Sequence, residues 1–331
     1  MKKNQFSYGI YLLVLVLLCS MLSGCFGSKD ADSKIQTQES TSLSSQLQNE
    51  AFESFDEASQ DTDNRQQEDD SKGETDEVEN ESNVGFNADL DSAESVSKVI
   101  FEVEPGMYLT EILSDLVKAG WGESTEDVLK HLEQMDRGQF LYWSQIQNVE
   151  ERAFAAEGYI APGQYEWKED ASIEEVMNTL LGSWDELLTE EIRQQAESQG
   201  YSVDEILIMA SIVEWESSFA PNHGVKPNVA AVVRNRVESE TPLQMDVTIF
   251  YLQESLYPYR DPQQYEMFYD TYIKSNLPAG PIGSPSMESI QAVLAPADTK
   301  DLFFVYDESG NYYFAEDYDQ HLINCDLAGI Y

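Results

Sequence analysis

The chain has 331 residues and a formal charge of −43, set by 62 Asp and Glu against 19 Lys and Arg. That length is enough for a sizeable core and one to three domains, while that charge repels a polyphosphate and excludes nucleic acid as a natural partner. His131, His223 and His321 are scattered and no Cys-x-x-Cys occurs. With no Gly-x-Gly-x-x-Gly and no Walker loop either, neither a metal centre nor a nucleotide cofactor is expected.

The N-terminus reads as an export signal. Lys2 and Lys3 precede an apolar run over 10–18, too short to span a bilayer, and Leu22-Ser23-Gly24-Cys25 follows. This tetrapeptide resembles the bacterial lipobox, in which the cysteine is acylated and becomes the new N-terminus. The expectation is a signal peptide over 1–24, a lipid on Cys25 and an extracytoplasmic, membrane-anchored protein. Cys19 then leaves with the signal, Cys25 carries lipid, and Cys325 is left without a disulfide partner. A nucleophilic Cys325 would need a base such as His321, four residues away; a small buried residue is the simpler reading.

Residues 25–96 are rich in Ser, Gln, Asp, Glu and Asn, with sparse, aperiodic hydrophobics. Such a chain buries too little apolar surface to offset its ordering entropy, so it is expected to be an acidic, extended linker.

The segment 97–183 reads as a small α+β unit. Val99-Ile100-Phe101-Glu102-Val103 has strand composition, and Glu104-Pro105-Gly106-Met107 is a turn. A helical stripe at Ile112, Leu113, Leu116 and Val117 ends at Gly120, and a second helix is expected over 124–135. Residues 157–167 read as an extended segment with a turn. Ser172-Ile173-Glu174-Glu175 then has the capping-box pattern ahead of a stripe at 173, 176, 177 and 180.

The segment 184–331 carries the candidate chemistry. Ser202-Val203-Asp204-Glu205 is a second capping box, opening the run Ile206 to Val213, which is apolar nearly all round and therefore central. It ends in Glu214-Trp215-Glu216-Ser217. On a helix Glu216 shares a face with Val213, Ile212 and Met209, whereas Glu214 faces Ser211, Ala210 and Leu207. The bulkier apolar surroundings of Glu216 would raise its pKa and keep it protonated near neutrality, as a general acid requires. On pattern alone, both glutamates equally suit the place where a buried helix reaches solvent.

Met209-Ala210-Ser211-Ile212-Val213-Glu214-Trp215-Glu216 resembles the "ASIVEKE" motif of the MltG (YceG-like) endolytic murein transglycosylases, and further blocks follow in order. Val229 to Arg236 resembles "VFxNR", Pro242-Leu243-Gln244-Met245-Asp246-Val247-Thr248 resembles "LQTDPT", Tyr269-Asp270-Thr271-Tyr272 resembles "YNTY", and Leu277 to Ile282 resembles "LPPGPI". Upstream, Glu157-Gly158-Tyr159 to Tyr165 resembles "EGYLFPDTY"; downstream, Leu302 to Val305 and Phe314 to His321 resemble the family's C-terminal end. Met245, Val247, Asp270 and Ala279 depart from the family pattern.

The resemblance spans roughly 97–325. It implies an α+β fold in which a small LysM-like αβ subdomain, 97–183, precedes a mixed α/β lytic transglycosylase catalytic domain, 184–331. Glu216-Ser217 through Pro221 also resembles the "ESxxxP" signature of other lytic transglycosylases, in which the glutamate before serine is catalytic. The implied substrate is the peptidoglycan glycan strand, cleaved at the β-1,4 bond from N-acetylmuramic acid to N-acetylglucosamine with no cofactor. Glu216 would serve as acid and then base while the muramoyl 6-hydroxyl closes a 1,6-anhydro ring. Peptidoglycan synthases of the elongation machinery are the implied protein partners.

Further positions are assigned to the glycan-binding cleft, each beside a local alternative. Asn235, Gln244 and Asp246 would hydrogen-bond sugars or orient Glu216, with capping or local pairing as the alternative for Asn235. Tyr251, Tyr269 and Tyr272 would stack on sugar faces or else pack in the core. Glu214 is the fallback acid and a cleft residue, and Ser217 would bond Glu216 or cap the helix. Two rival functions stay open: a non-catalytic glycan-binding scaffold, and a hydrolytic muramidase with Asp246 as second carboxylate.

Overall fold

The computed structural model describes residues 97–220 and 224–330. The expected signal peptide, Cys25 and the linker 25–96 lie outside these residues, as does His223. Among the described residues no helix is long and apolar enough to cross a membrane.

Strand β1, Lys98–Val103, pairs antiparallel with β2, Gly163–Lys168, in a register that runs from Lys98 opposite Lys168 to Val103 opposite Gly163. Alternation puts Phe101 and Val103 on the buried face, where Trp167 meets Phe101 and, edge-on, Trp121. Helix α1, Leu109–Lys118, buries Ile112, Leu113 and Leu116 of the expected stripe, and Val117 lies at its margin. Helix α2, Thr125–Gln134, is capped by the Ser124 hydroxyl, which accepts from Asp127 N–H. Short 3₁₀ turns lead through Trp143 to the second strand.

Helix α3, Ile173–Leu181, buries Val176, Met177 and Leu180 as its spacing predicts. Of the expected capping box only one half forms: Ser172 Oγ accepts from Glu175 N–H. Helices α4, Ser183–Leu187, and α5, Glu190–Ser198, lead to α6, Val203–Glu216, whose Ser202–Glu205 capping box is complete. Every residue of α6 from Ile206 to Glu214 is buried, as is Glu216. The helix is wrapped by α7, Lys226–Glu238, α8, Val247–Glu254, and α10, Met287–Leu294. Between α8 and α10 lies the short α9, Glu266–Tyr269. The hairpin β3–β4, Phe303–Tyr306 with Tyr312–Ala315, is backed by α11, Tyr318–Ala328. Helices with two small antiparallel sheets make the α+β class that the sequence predicts.

The apolar core runs without a break across residue 183, from Phe101 to Leu294. Polar stitches reinforce it. Arg152 pairs with Asp204 in the first turn of α6, and Tyr159 donates to the same carboxylate at 2.6 Å. Gly158, at φ +73°, packs so closely on Pro281 that an added Cβ would lie 2.4 Å from the proline Cβ. Only glycine fits there. The turn before β2 is thereby locked against the loop that precedes α10.

Candidate active site

The end of α6 divides two glutamates by their partners rather than by depth, since Glu214 is 8% exposed and Glu216 7%. Glu214 is caged. Lys226 Nζ lies 3.0 and 3.1 Å from its two oxygens, Ser289 Oγ donates at 2.6 Å, Ser286 N–H donates at 2.9 Å, and Ser286 Oγ donates as well. Burial alone would raise its pKa, but these bonds and the Lys226 ammonium outweigh it and hold the carboxylate below its ordinary value. An ionised, fully bonded carboxylate has no proton to give.

Glu216 has no such cage. Among the described residues no hydrogen bond or ion pair reaches its carboxyl, and its carboxyl borders an open cleft. Burial pushes it up to about 8, the neighbouring Asp246 adding to the shift and the Arg236 guanidinium opposing it. At neutral pH it is a protonated acid aimed into a cavity. Desolvation, the cause read from the helical face, is the leading one.

The cleft is walled by aromatic rings. Trp215 and Phe219 beside Glu216 in the chain, Phe250, Tyr272, and Phe303, Phe304 and Tyr306 of the hairpin all line it. Phe219 stacks on Tyr306 with ring centroids 4.8 Å apart. Tyr312 Oη donates at 2.5 Å to the backbone oxygen of Glu216, which ties β4 to the helix end that presents the acid. Flat apolar faces with scattered polar groups suit a sugar ring better than an extended peptide.

The proposed site residues separate into two groups. Gln244, Asp246 and Tyr272 line the cleft with Glu216. Gln244 sits in the left-handed region at φ +51°, its N–H bonded to Thr271 O at 3.1 Å. Asp246 begins α8 and accepts from Tyr272 Oη; burial raises its pKa and that bond opposes the rise.

The others are engaged within the protein. The Asn235 amide donates to Thr299 O at 3.1 Å and Asp301 O at 2.9 Å, backbone carbonyls distant in sequence, so it neither caps its own helix nor lines the cleft. Ser217 Oγ donates to Val213 O at 2.6 Å, closing the helix end instead of bonding Glu216. Tyr251 and Tyr269 are fully buried and pack on each other at 5.1 Å, away from the cleft lining. Their hydroxyls lie near Glu157, a carboxyl that burial raises to about 8 against the bond from Leu109 N–H.

Further groups outside the proposed site residues line the cleft. Arg236, the neighbour of Asn235 on α7, borders the cleft. His321 and Cys325 close one end, with Sγ and Nε2 3.7 Å apart; Cys325 is buried, and burial followed by the Arg236 charge lowers the His321 pKa. No group of three or more His, Cys, Asp or Glu among the described residues is placed to hold a metal ion.

The chain is similar to proteins named endolytic murein transglycosylases. One from Streptococcus pneumoniae serotype 2 is 28% identical over 181 residues, 51% of this chain and 31% of that protein. One from Bacillus subtilis strain 168 is 28% identical over 169 residues, 50% of this chain and 46% of that protein. The matched region thus spans less than half the length of these relatives. In structure, a yceG-like protein from Listeria monocytogenes superposes with a TM-score of 0.58 at 25% identity, over 68% of this chain and 75% of its own. The YceG-like family matches residues 42–326, most of the chain, with Glu216, Arg236, Gln244, Asp246 and Tyr272 inside the match, and the protein belongs to that family.

Proposed function

We propose that this protein is a lytic transglycosylase of peptidoglycan, cutting the β-1,4 bond between N-acetylmuramic acid and N-acetylglucosamine within glycan strands. The observation that carries the reading is Glu216, a carboxyl raised to about 8 that no hydrogen bond or ion pair reaches among the described residues, in an aromatic cleft. The named activity of its relatives agrees with it.

The chemistry needs one acid/base. Protonated Glu216 gives its proton to the glycosidic oxygen as the bond from that oxygen to the muramoyl anomeric carbon breaks, its electron pair leaving on oxygen. The carboxylate then takes the proton of the muramoyl 6-hydroxyl while that oxygen bonds to the anomeric carbon. The proton count returns to its start, no water is consumed, and the product end is a 1,6-anhydro ring. Holding the sugar so that its own hydroxyl attacks is the entropic part of the task, a role supported by the presence of Gln244 and the aromatic rings in the cleft lining.

Trp215 also lines a second groove, where Tyr108 of the segment 97–183 joins Tyr257 and Tyr259 of the segment 184–331. This supports a glycan-contacting role for the segment 97–183, the part expected to be LysM-like. Lipid anchoring at Cys25, an extracytoplasmic location and work beside peptidoglycan synthases belong to the same proposal, supported by Leu22-Ser23-Gly24-Cys25 and by the family resemblance.

Asp246, a second carboxyl on the same cleft, favours one rival reading, hydrolysis by water. Mass spectrometry of glycan strands digested by the full chain decides between them. Anhydro-ended fragments support the proposal, fragments carrying an added water support the muramidase, and binding without cleavage supports the scaffold.

A further inference from the structure

Arg236 projects from α7 into the wall of the Glu216 cleft, and every oxygen that it grips is neutral. Its Nη1 donates to Pro242 O at 2.9 Å, to Leu243 O at 2.8 Å and to Gln244 Oε1 at 3.2 Å, while Nε donates to Leu302 O. Its guanidinium carbon stands 5.0 Å from the centroid of Phe303. None of these partners carries a negative charge. A buried arginine is ordinarily matched by a carboxylate, as Arg152 is by Asp204 in this same chain.

We propose that Arg236 is a positioning residue for the reaction: carbonyl oxygens fix its planar fork so that an uncompensated positive charge stands beside Glu216 without forming an ion pair with it. This rests on the transglycosylase reading of the cleft. A direct ion pair would hold Glu216 ionised and remove the acid. A charge held at a distance leaves the proton in place and favours the carboxylate that exists after the proton has passed to the glycosidic oxygen.

The charged and titratable groups around Glu216 come from several elements. Asp246 at the start of α8 acts against the Glu216 carboxylate, and Arg236 acts for it. Tyr312 on β4 is a neutral phenol whose own pKa burial and Glu216 push upward. Tyr272 faces Arg236 and bonds Asp246, and His321 on α11 is kept neutral by burial and by Arg236. Arg236 is therefore the one cation in this set that favours the ionised acid. Its fork also ties residues 242–244 to residue 302, two segments that bound the cleft, so position and charge come from the same bonds.

The test is the titration of Glu216 itself, followed by carbon NMR of glutamate carboxyls in the full chain and assigned with Glu216→Gln. Arg236→Gln is expected to raise the Glu216 midpoint by about one pH unit, the scale of a nearby opposite charge, and to lower kcat at least tenfold with a smaller change in KM. Arg236→Lys, which keeps the charge and loses the fork, is expected to leave the midpoint near that of the wild type while reducing kcat. A wild-type midpoint in folded Arg236→Gln overturns the proposal and leaves a structural tether. If Arg236→Gln does not fold, a midpoint raised by a full unit in folded Arg236→Lys overturns it equally. The titration requires no substrate. A shifted midpoint with no anhydro product from the wild type would uphold the arrangement while refuting the reaction assigned to it.

Discussion

Lys226 Nζ lies 3.0 Å from Glu214 Oε1 in a buried ion pair, and that pair distinguishes Glu214 from Glu216 two residues on. Sequence spacing places the two carboxyls on different helical faces. Only the fold brings Lys226, Ser286 and Ser289 to one of them.

Glu214→Gln leaves the buried Lys226 ammonium beside a neutral amide, with the exposed Glu288 carboxylate at 3.3 Å as its remaining charged partner. Removing one partner of a buried pair costs about 3–5 kcal/mol, so this variant should melt well below the wild type. At temperatures where it is folded it should retain cleavage. Thermal unfolding followed by circular dichroism, with activity measured below the transition, checks both parts.

Activity should fall on the alkaline side. On the proposed mechanism Glu216 acts first as an acid, and burial pushes its carboxyl up to about 8, so kcat/KM should decline as pH rises through that value. Asp246 contributes to the upward shift. Asp246→Asn should therefore move the alkaline limb to lower pH; a limb that stays in place would remove Asp246 from the account.

Stability should fall over a related pH window for a separate reason. Folded Glu157 holds its proton to about 8, whereas its ordinary value is 4.5. Between those values the unfolded chain binds fewer protons than the folded one, so stability declines as pH rises across the window. Glu157→Gln should reduce that slope in urea titrations performed from pH 5 to pH 8, and Glu216, raised to about 8 as well, accounts for the part that remains.

Tyr312→Phe removes the hydroxyl that bonds the Glu216 backbone oxygen. The loss of one such bond is worth about 1 kcal/mol, or roughly 2–4 °C in Tm for a unit of this size. Because the bond ties the hairpin wall to the helix that carries the acid, kcat should fall by more than KM changes. Steady-state kinetics on a fluorescent glycan strand would separate the two.

The helices that build the site were legible because their signals are local. Ser202–Glu205 and the unbroken apolar run specified α6 almost to its ends, and the stripe of α1 was visible in the same way. What escaped the sequence is what depends on distant partners. The cage of Glu214 comes from residues 12 to 75 positions away. Tyr251 and Tyr269 look the same in sequence as Tyr272, yet two pack on each other in the core and the third lines the cleft. Asn235 and Arg236 are adjacent on α7, and helical rotation turned the expected ligand toward Thr299 and Asp301 and its neighbour toward the cleft. The hairpin β3–β4 carries an aromatic wall whose strand alternation is too short, at four residues a strand, to be read from periodicity.

The central claim is that Glu216 alone is the acid and base. The most direct measurement compares glycan digestion by wild type, Glu216→Gln and Glu214→Gln at a temperature where all three are folded, with the ends identified by mass spectrometry. Anhydro-ended fragments from wild type and Glu214→Gln, and none from Glu216→Gln, are the predicted result. Cleavage that survives Glu216→Gln, or is lost in folded Glu214→Gln alone, would contradict it.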